Sequence, residues 1–251
     1  MAGHSHWSNI QHKKAAKDKK KGKVLSKLIK QLHTAVREGG GSGDPDANPR
    51  LRLILEKCRL ANMPKDNIKR AIEKATLGST GYEELMFEGY GPAGVALIVE
   101  CLSDNPQRTG PEIRYIFDRN GAKIGKSGSV AHMFARTGVF HIEKSKAPEE
   151  KLVEIALDAG AGDITEQDDF FEVTCDPTQY LAVAAAFAAA GIEAGLSEIQ
   201  MLPASRVEVD LETARKLSRL IEVIEDHEDV QNVYANFDVS AEAAETLARE
   251  A

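Results

Sequence analysis

Three stretches near the start of the chain repeat apolar residues at helical spacing. Val24, Leu25, Leu28, Leu32, Ala35 and Val36 share one face, and Gly39-Gly40-Gly41-Ser42-Gly43 stops the pattern. Asn48 followed by Pro49 predicts a second helix. An Asn side chain accepts from the orphan amides of a first turn, and Pro at the first helical position has no amide to leave unpaired. The buried stripe of that helix is Leu51, Ile54, Leu55 and Cys58. A third helix begins near Pro64 and turns Ile68, Ala71, Ile72 and Ala75 inward. Together these make a small helical domain whose outward faces are rich in Lys and Arg.

The pattern changes after Gly78. Val95 to Leu102 is an unbroken apolar and β-branched run, which predicts a buried strand. Thr109 to Asn120 reads as a helix with Ile113, Ile116 and Phe117 inside, followed by a Gly-rich stretch from Gly121 to Ser129. From Gly138 the chain predicts a strand (Val139–Glu143), a helix (Pro148–Ala159), and strand pieces around Ile164 and at Phe170–Cys175. A helix capped by Asp176-Pro177 then reaches about Ala190, and Leu196–Leu202 closes as a strand. That order, βαββαβ, is ferredoxin-like. A further helix (Leu211, Ala214, Leu217, Ile221, Ile224) and strand (Val230–Val239) join the elements of 95–120 in a second α+β unit. The predicted fold class is α+β and multi-domain. An N-terminal all-helical domain with its basic arm (1–76) precedes two α+β domains of ferredoxin-like βαββαβ type. One of these is discontinuous (77–138 and 206–251), and the other (139–205) is inserted in it.

Charge sharpens this picture, because it divides where the pattern does. Residues 1–75 hold 18 Lys and Arg against 7 Asp and Glu, whereas 76–251 hold 14 against 32. A basic segment on an acidic body points to a polyanion, and nucleic acid is the commonest, since each neutralised phosphate releases condensed counterions. The first 23 residues hold seven lysines and one aspartate. They carry too little apolar surface to fold alone and read as an arm ordered by its partner. Cys58, Cys101 and Cys175 lie far apart with no CxxC, which suits buried thiols in a reducing compartment. The opening MAGHSHWSNIQHKK has no signal-peptide core, and the Ala-rich run Tyr180–Ile192 is too short to span a bilayer. A cytoplasmic protein with no membrane partner is expected.

Candidate chemistry narrows the function further. Gly89-Tyr-Gly91-Pro-Ala-Gly94 matches the letters of a dinucleotide fingerprint, but a strand follows it where a helix is needed, so a turn is expected. Gly121-Ala-Lys-Ile-Gly125-Lys126-Ser127 is one residue short of a phosphate-binding loop, and Gly128 follows where a helix should begin. Phosphate contact through Lys123 and Lys126 stays open. His4, His6 and His12 lack neighbouring Cys or carboxylate ligands and suit phosphate or solvent better than metal. No nucleophile–base pair has supporting spacing, so neither catalysis nor any cofactor or metal is expected. The strongest signal is the run Lys13, Lys14, Lys17, Lys19, Lys20, Lys21, Lys23, Lys27 and Lys30, which repels itself unless a polyanion is present. With His4, Trp7 and His12 it forms the candidate nucleic-acid-binding set, Trp7 either stacking on a base or docking on its own domain.

The start MAGHSHWSNIQHKKAAKDKKKGK closely resembles that of the YebC/PmpR family. The similarity continues through Asn62–Ile68, Phe87–Val95, Ser103–Thr109 and Gly128–Phe134, and so spans nearly the whole chain. The resemblance implies three domains in a crescent, one α+β domain being inserted in the other. Bacterial members are usually named probable DNA-binding transcriptional regulators. Others, including a mitochondrial activator of cytochrome oxidase subunit one translation, resemble ribosome-associated factors that activate translation or relieve stalling. By that resemblance Lys13 to Lys30 would contact phosphates. Arg108, with Arg114, Lys123 and Lys126, would form a second polar face. Members usually carry Lys where His6 and Gln11 stand and a more basic residue near Pro106, which lowers the positive charge here. The expectation is a non-enzymatic nucleic-acid-binding regulator of gene expression acting on DNA. The alternative is a translation factor on ribosomal RNA and the ribosome, and the acidic body is a candidate surface for a protein partner.

Overall fold

The computed structural model of the chain describes residues 21–78, 81–167 and 169–250. Helix α1 (Lys21–Glu38) packs on α2 (Pro49–Leu60) and α3 (Lys65–Thr76). Leu28, Leu32, Ala35 and Val36 of α1 meet Leu51, Ile54 and Cys58 of α2 and Ala71 of α3 in one core. Asn48 caps α2 as expected, its Oδ1 accepting from the Leu51 amide at 3.0 Å. Its Nδ2 also donates to the Ala35 carbonyl at 2.8 Å, so one buried side chain starts α2 and fastens it to the end of α1. Val24 differs from expectation. It is exposed, because it sits on the first turns of α1, ahead of the buried core that starts at Leu28.

The chain continues through β1 (Glu83–Tyr90), β2 (Ala96–Ser103), α4 (Pro106–Arg119), β3 (Lys123–Ile124) and β4 (Phe134–Glu143). Then come α5 (Glu149–Asp158), β5 (Ala161–Glu166), β6 (Phe170–Cys175), α6 (Tyr180–Ala189) and β7 (Leu196–Pro203). The last elements are β8 (Val207–Val209), α7 (Leu211–Glu225), β9 (Val230–Ala235), β10 (Phe237–Val239) and α8 (Ala241–Glu250). Two compact units result. His132–Ser205 belong to one, and the other takes the chain up to Ala131 and resumes at Arg206. Among the described residues no helix is long and apolar enough to cross a membrane.

In the unit of 132–205 the strands lie in the order β5-β6-β4-β7, every neighbouring pair antiparallel, which is the ferredoxin-like arrangement. Phe140 of β4 stacks on Tyr180 at 4.9 Å and meets Phe187 edge-on at 5.3 Å, joining the sheet to α6. Strand β4 starts at Phe134, ahead of the predicted Val139, and pairs with β7 from Phe134 to His141. The polar residues Arg136 and Thr137 had hidden that half. The helix after β6 starts later than expected. Asp176 Oδ1 turns back to the amide (2.8 Å) and hydroxyl (2.6 Å) of Thr178, and α6 begins at Tyr180 without a side-chain cap.

The second α+β sheet runs β3-β1-β2-β9, again antiparallel throughout. One face of β2 (Leu97, Val99, Cys101) packs on Ile113 and Phe117 of α4 and on Leu217, Ile221 and Ile224 of α7. Strand β1 was not expected, because its apolar run is only the triplet Leu85-Met86-Phe87, bounded by Glu84 and Glu88. It forms a hairpin with β2, and the GxGxxG letters lie at its turn. The Gly91 amide donates to the Val95 carbonyl at 2.8 Å, and Ala93 (φ 56°) and Gly94 (φ 74°) take left-handed conformations. A Cβ at Gly89 would sit 2.5 Å from the Lys123 carbonyl oxygen, so this glycine lets β3 approach. The predicted strand 230–239 is broken at Asn236. This fully buried side chain accepts from the Ala96 amide at 2.7 Å and sends Phe237–Val239 away to pair in parallel with β8. Helix α8 was not predicted, and it adds Ala243, Ala244 and Leu247 to the core.

Candidate nucleic-acid interface

Of the predicted set, His4, Trp7, His12, Lys13, Lys14, Lys17, Lys19 and Lys20 lie outside the described residues, and Lys21 opens α1. Lys23, Lys27 and Lys30 follow at helical spacing on one face of α1 and are brought together on the body of the same unit. Lys23 Nζ lies 2.5 Å from Asp226 Oδ1 and Lys27 Nζ 3.4 Å from the Glu225 carbonyl. Lys30 Nζ lies 3.0 Å from the Glu228 carbonyl and 2.6 Å from Asp229 Oδ1. Their partners are the C-terminus of α7 and the turn that follows it, where orphan carbonyls and the helix dipole attract cations. Burial lowers the Lys27 pKa, with the Glu225 charge opposing that shift.

Asp229 is the centre of this contact. Its side chain is fully buried and accepts from Lys30, from Arg108 Nη2 at 2.7 Å and from Thr109 Oγ1 at 2.6 Å. Burial alone would raise its pKa, but the hydrogen bonds from Lys30, Thr109 and Arg108 outweigh burial and hold it at about 2. The hydroxyl chain behind it has a defined direction. Thr109 gives its proton to Asp229, so at 2.6 Å Ser103 Oγ donates to Thr109 Oγ1, and Ser103 Oγ in turn accepts from the Asn105 amide at 2.9 Å. Asn105 caps α4, its Oδ1 accepting from the Arg108 amide at 3.3 Å. The Ser103–Thr109 block therefore seats the first turn of α4 on Asp229. His227 adds a tie. Its Nδ1 accepts from the Asp229 amide at 3.1 Å, which leaves Nε2 to donate to Glu112 at 2.9 Å.

The second polar face is divided by the same contacts. Arg108 points into the acidic cluster of Asp104, Glu228 and Asp229, while Arg114, Lys123 and Lys126 are exposed. The Gly-rich loop does cradle an anion, but an internal one. The buried Glu88 carboxylate accepts from the amides of Gly128 (2.6 Å), Val130 (2.7 Å) and Ala131 (2.7 Å), and Tyr90 donates its hydroxyl to the Ser129 carbonyl at 3.0 Å. Those amides are thus engaged by protein, and the loop offers charge outward through the exposed Lys123 and Lys126. Sequence reasoning missed Glu88 and Asp229, whose donors lie about 40 and up to 199 residues away. No local signal could have found them.

The exposed cations of the helical domain lie elsewhere. Arg52, Arg59, Lys65, Lys69, Arg70 and Lys74 of α2 and α3 face outward, and a shallow groove runs beside Lys65, Ile68, Lys69, Ile72 and Glu73. Burial pushes the Cys58 thiol up to about 11 and Cys101 to about 12. Among the described residues no group of three or more His, Cys, Asp or Glu side chains is placed to hold a metal.

A helical N-terminal module, an α+β body and an inserted ferredoxin-like unit define the class of this protein. Residues 5–78 match the model of the TACO1/YebC protein N-terminal domain, and residues 82–237 match that of the TACO1/YebC second and third domain. The chain belongs to the TACO1/YebC family. It is 46% identical over 251 residues to a "Probable transcriptional regulatory protein" of Persephonella marina, covering 98% of this chain and 100% of that one. A protein of the same description from Syntrophobacter fumaroxidans is 47% identical over 251 residues, covering 99% of this chain and 100% of the relative. The crystal structure of a conserved hypothetical protein, Aq1575, from Aquifex aeolicus superposes with a TM-score of 0.83 at 38% identity, covering 94% of this chain and 98% of that one.

Proposed function

We propose that this protein is a non-enzymatic, cytoplasmic regulator of transcription that binds DNA through its basic N-terminal third. The observation that carries the reading is the segregation of charge. Residues 49–76 alone hold eight Lys and Arg against three Asp and Glu, and the acidic residues concentrate in the α+β body. Relatives of nearly equal length described as probable transcriptional regulatory proteins support the same reading. The basic arm, Lys13 to Lys21, supplies affinity without reading sequence, because phosphate neutralisation is indifferent to base identity. The acidic body limits nonspecific coating and offers a surface to a protein partner. Thiols held protonated at neutral pH make poor nucleophiles, in keeping with a binding role.

The test is competition. Full-length protein is sedimented with purified ribosomes at physiological salt in the presence of excess duplex DNA. Protein retained on DNA at the top of the gradient supports the reading. Co-migration with ribosomes despite the DNA overturns it in favour of a translation factor.

A further inference from the structure

The lysines of the helical domain do not all face the same partner. Lys23, Lys27 and Lys30 of α1 are directed onto Asp226, the Glu225 and Glu228 carbonyls and Asp229, and the Lys30 side chain is only 15% exposed. A phosphate would have to displace those acceptors first. Lys65 and Lys69 on α3 stand differently. Lys69 is 78% exposed, and its ion partner Glu73 lies at the outer limit of a salt bridge, 3.9 Å away. Lys65 is exposed at the first position of the helix. The two lysines, one turn apart, rim the groove floored by Ile68 and Ile72.

From this geometry we infer that α3, and not α1, is the helix that meets the backbone of duplex DNA. This rests on the proposed DNA-binding role and deepens it. Helix α2 is followed by a four-residue turn, 61–64, in which Asn62 has φ 53°, and then by α3, with both helices packed on α1. Two helices joined by a short turn are a feature shared with the helix-turn-helix, whose second helix enters the major groove. Helix α3 has 12 residues and is thus about 18 Å long, enough to lie along a groove about 12 Å wide with lysines reaching the phosphates of its wall. Charge complementarity favours the same face, since 65–76 holds four Lys and Arg against two acidic residues. Lys65 and Lys69 lie on the first half of α3, where a second helix approaches a groove most closely, and Lys74 is exposed in its last turn.

The experiment is a salt titration of binding to a fluorescent 20-base-pair duplex by the full-length protein. Lys65→Ala with Lys69→Ala should flatten the log K against log salt slope by about 2, so that affinity lost between 50 and 200 mM salt shrinks about twelvefold. Both sites are exposed and helical, and removing a cation from a helix N-terminus relieves the dipole, so the variant stays folded. Lys23→Ala with Lys27→Ala should leave the slope unchanged. Glu73→Lys, which removes no cation, should steepen it by about 1. An unchanged slope for Lys65→Ala with Lys69→Ala beside a flattened one for Lys23→Ala with Lys27→Ala would assign the contact to α1 and overturn the inference, with DNA binding intact. Tighter capture of single-stranded RNA of equal length, lost with Lys65 and Lys69, would overturn the duplex assignment. Absence of any salt-dependent binding by the unaltered chain would defeat the DNA-binding reading itself.

Discussion

Asp229→Asn isolates the contact that seats α1 and α4 on the body. The native carboxylate is fully buried and carries three donors, Lys30, Arg108 and Thr109. Its pKa falls from 3.8 to about 2, a difference that amounts to roughly 2–3 kcal/mol of stability. The substitution keeps the shape but leaves two cations facing a neutral amide, one of whose atoms is a donor. A loss of about 2–4 kcal/mol at pH 7 follows. Because the folded-state pKa lies below the unfolded one, the contribution is complete above about pH 4 and disappears as pH falls through about 2. By pH 3 roughly half of it remains. Urea unfolding of the two proteins, followed by circular dichroism at pH 7, 4 and 3, measures the gap directly. A gap below about 1 kcal/mol at pH 7, or one that stays constant down to pH 3, would show that Asp229 does not anchor α1 and α4.

Three further outcomes follow from other contacts. Glu88→Gln should cost about 2–3 kcal/mol and speed hydrogen exchange at the Gly128, Val130 and Ala131 amides, because a charged acceptor of three hydrogen bonds becomes a neutral one; unchanged protection would refute the role of this carboxylate. Asn48→Ala removes both the α2 cap and the bond to the Ala35 carbonyl, and should lower stability in a thermal melt by about 1–3 kcal/mol. Removing residues 1–20 takes away five lysines and should flatten the salt dependence of duplex binding by about 4 while leaving α1 to α3 folded, as read by far-UV circular dichroism; an unaltered slope would remove the arm from the interface.

The local pattern was legible wherever one short stretch of chain carried its own reason. Asn48-Pro49 declared the start of α2, Leu28 to Val36 declared a buried helical stripe, and Val95 to Leu102 declared a buried strand, because capping and periodic burial act within a few residues. The separation of charge between the helical domain and the α+β body is likewise a property of the sequence alone. Strand β1 stayed hidden because its apolar residues are few and its burial comes from pairing with β2 and from the loop that Glu88 holds. The break at Asn236 stayed hidden because only the Ala96 amide, 140 residues away, gives that buried amide its partner.

Tertiary structure alone decided how the positive charge is used. In the sequence Lys23, Lys27 and Lys30 continue the run of the arm without interruption, and nothing marks them as different from Lys13 or Lys20. Folding brings Asp226 and Asp229 about 200 residues along the chain to meet them, so these three cations hold the helical domain to its own body while Lys65 and Lys69 remain turned to solvent. Hydrophobic period and composition set which segments become helices and strands, since those are short-range properties. Which lysine meets protein and which faces outward depends on electrostatic pairing across the fold, where a buried carboxylate selects its donors by distance and not by sequence position.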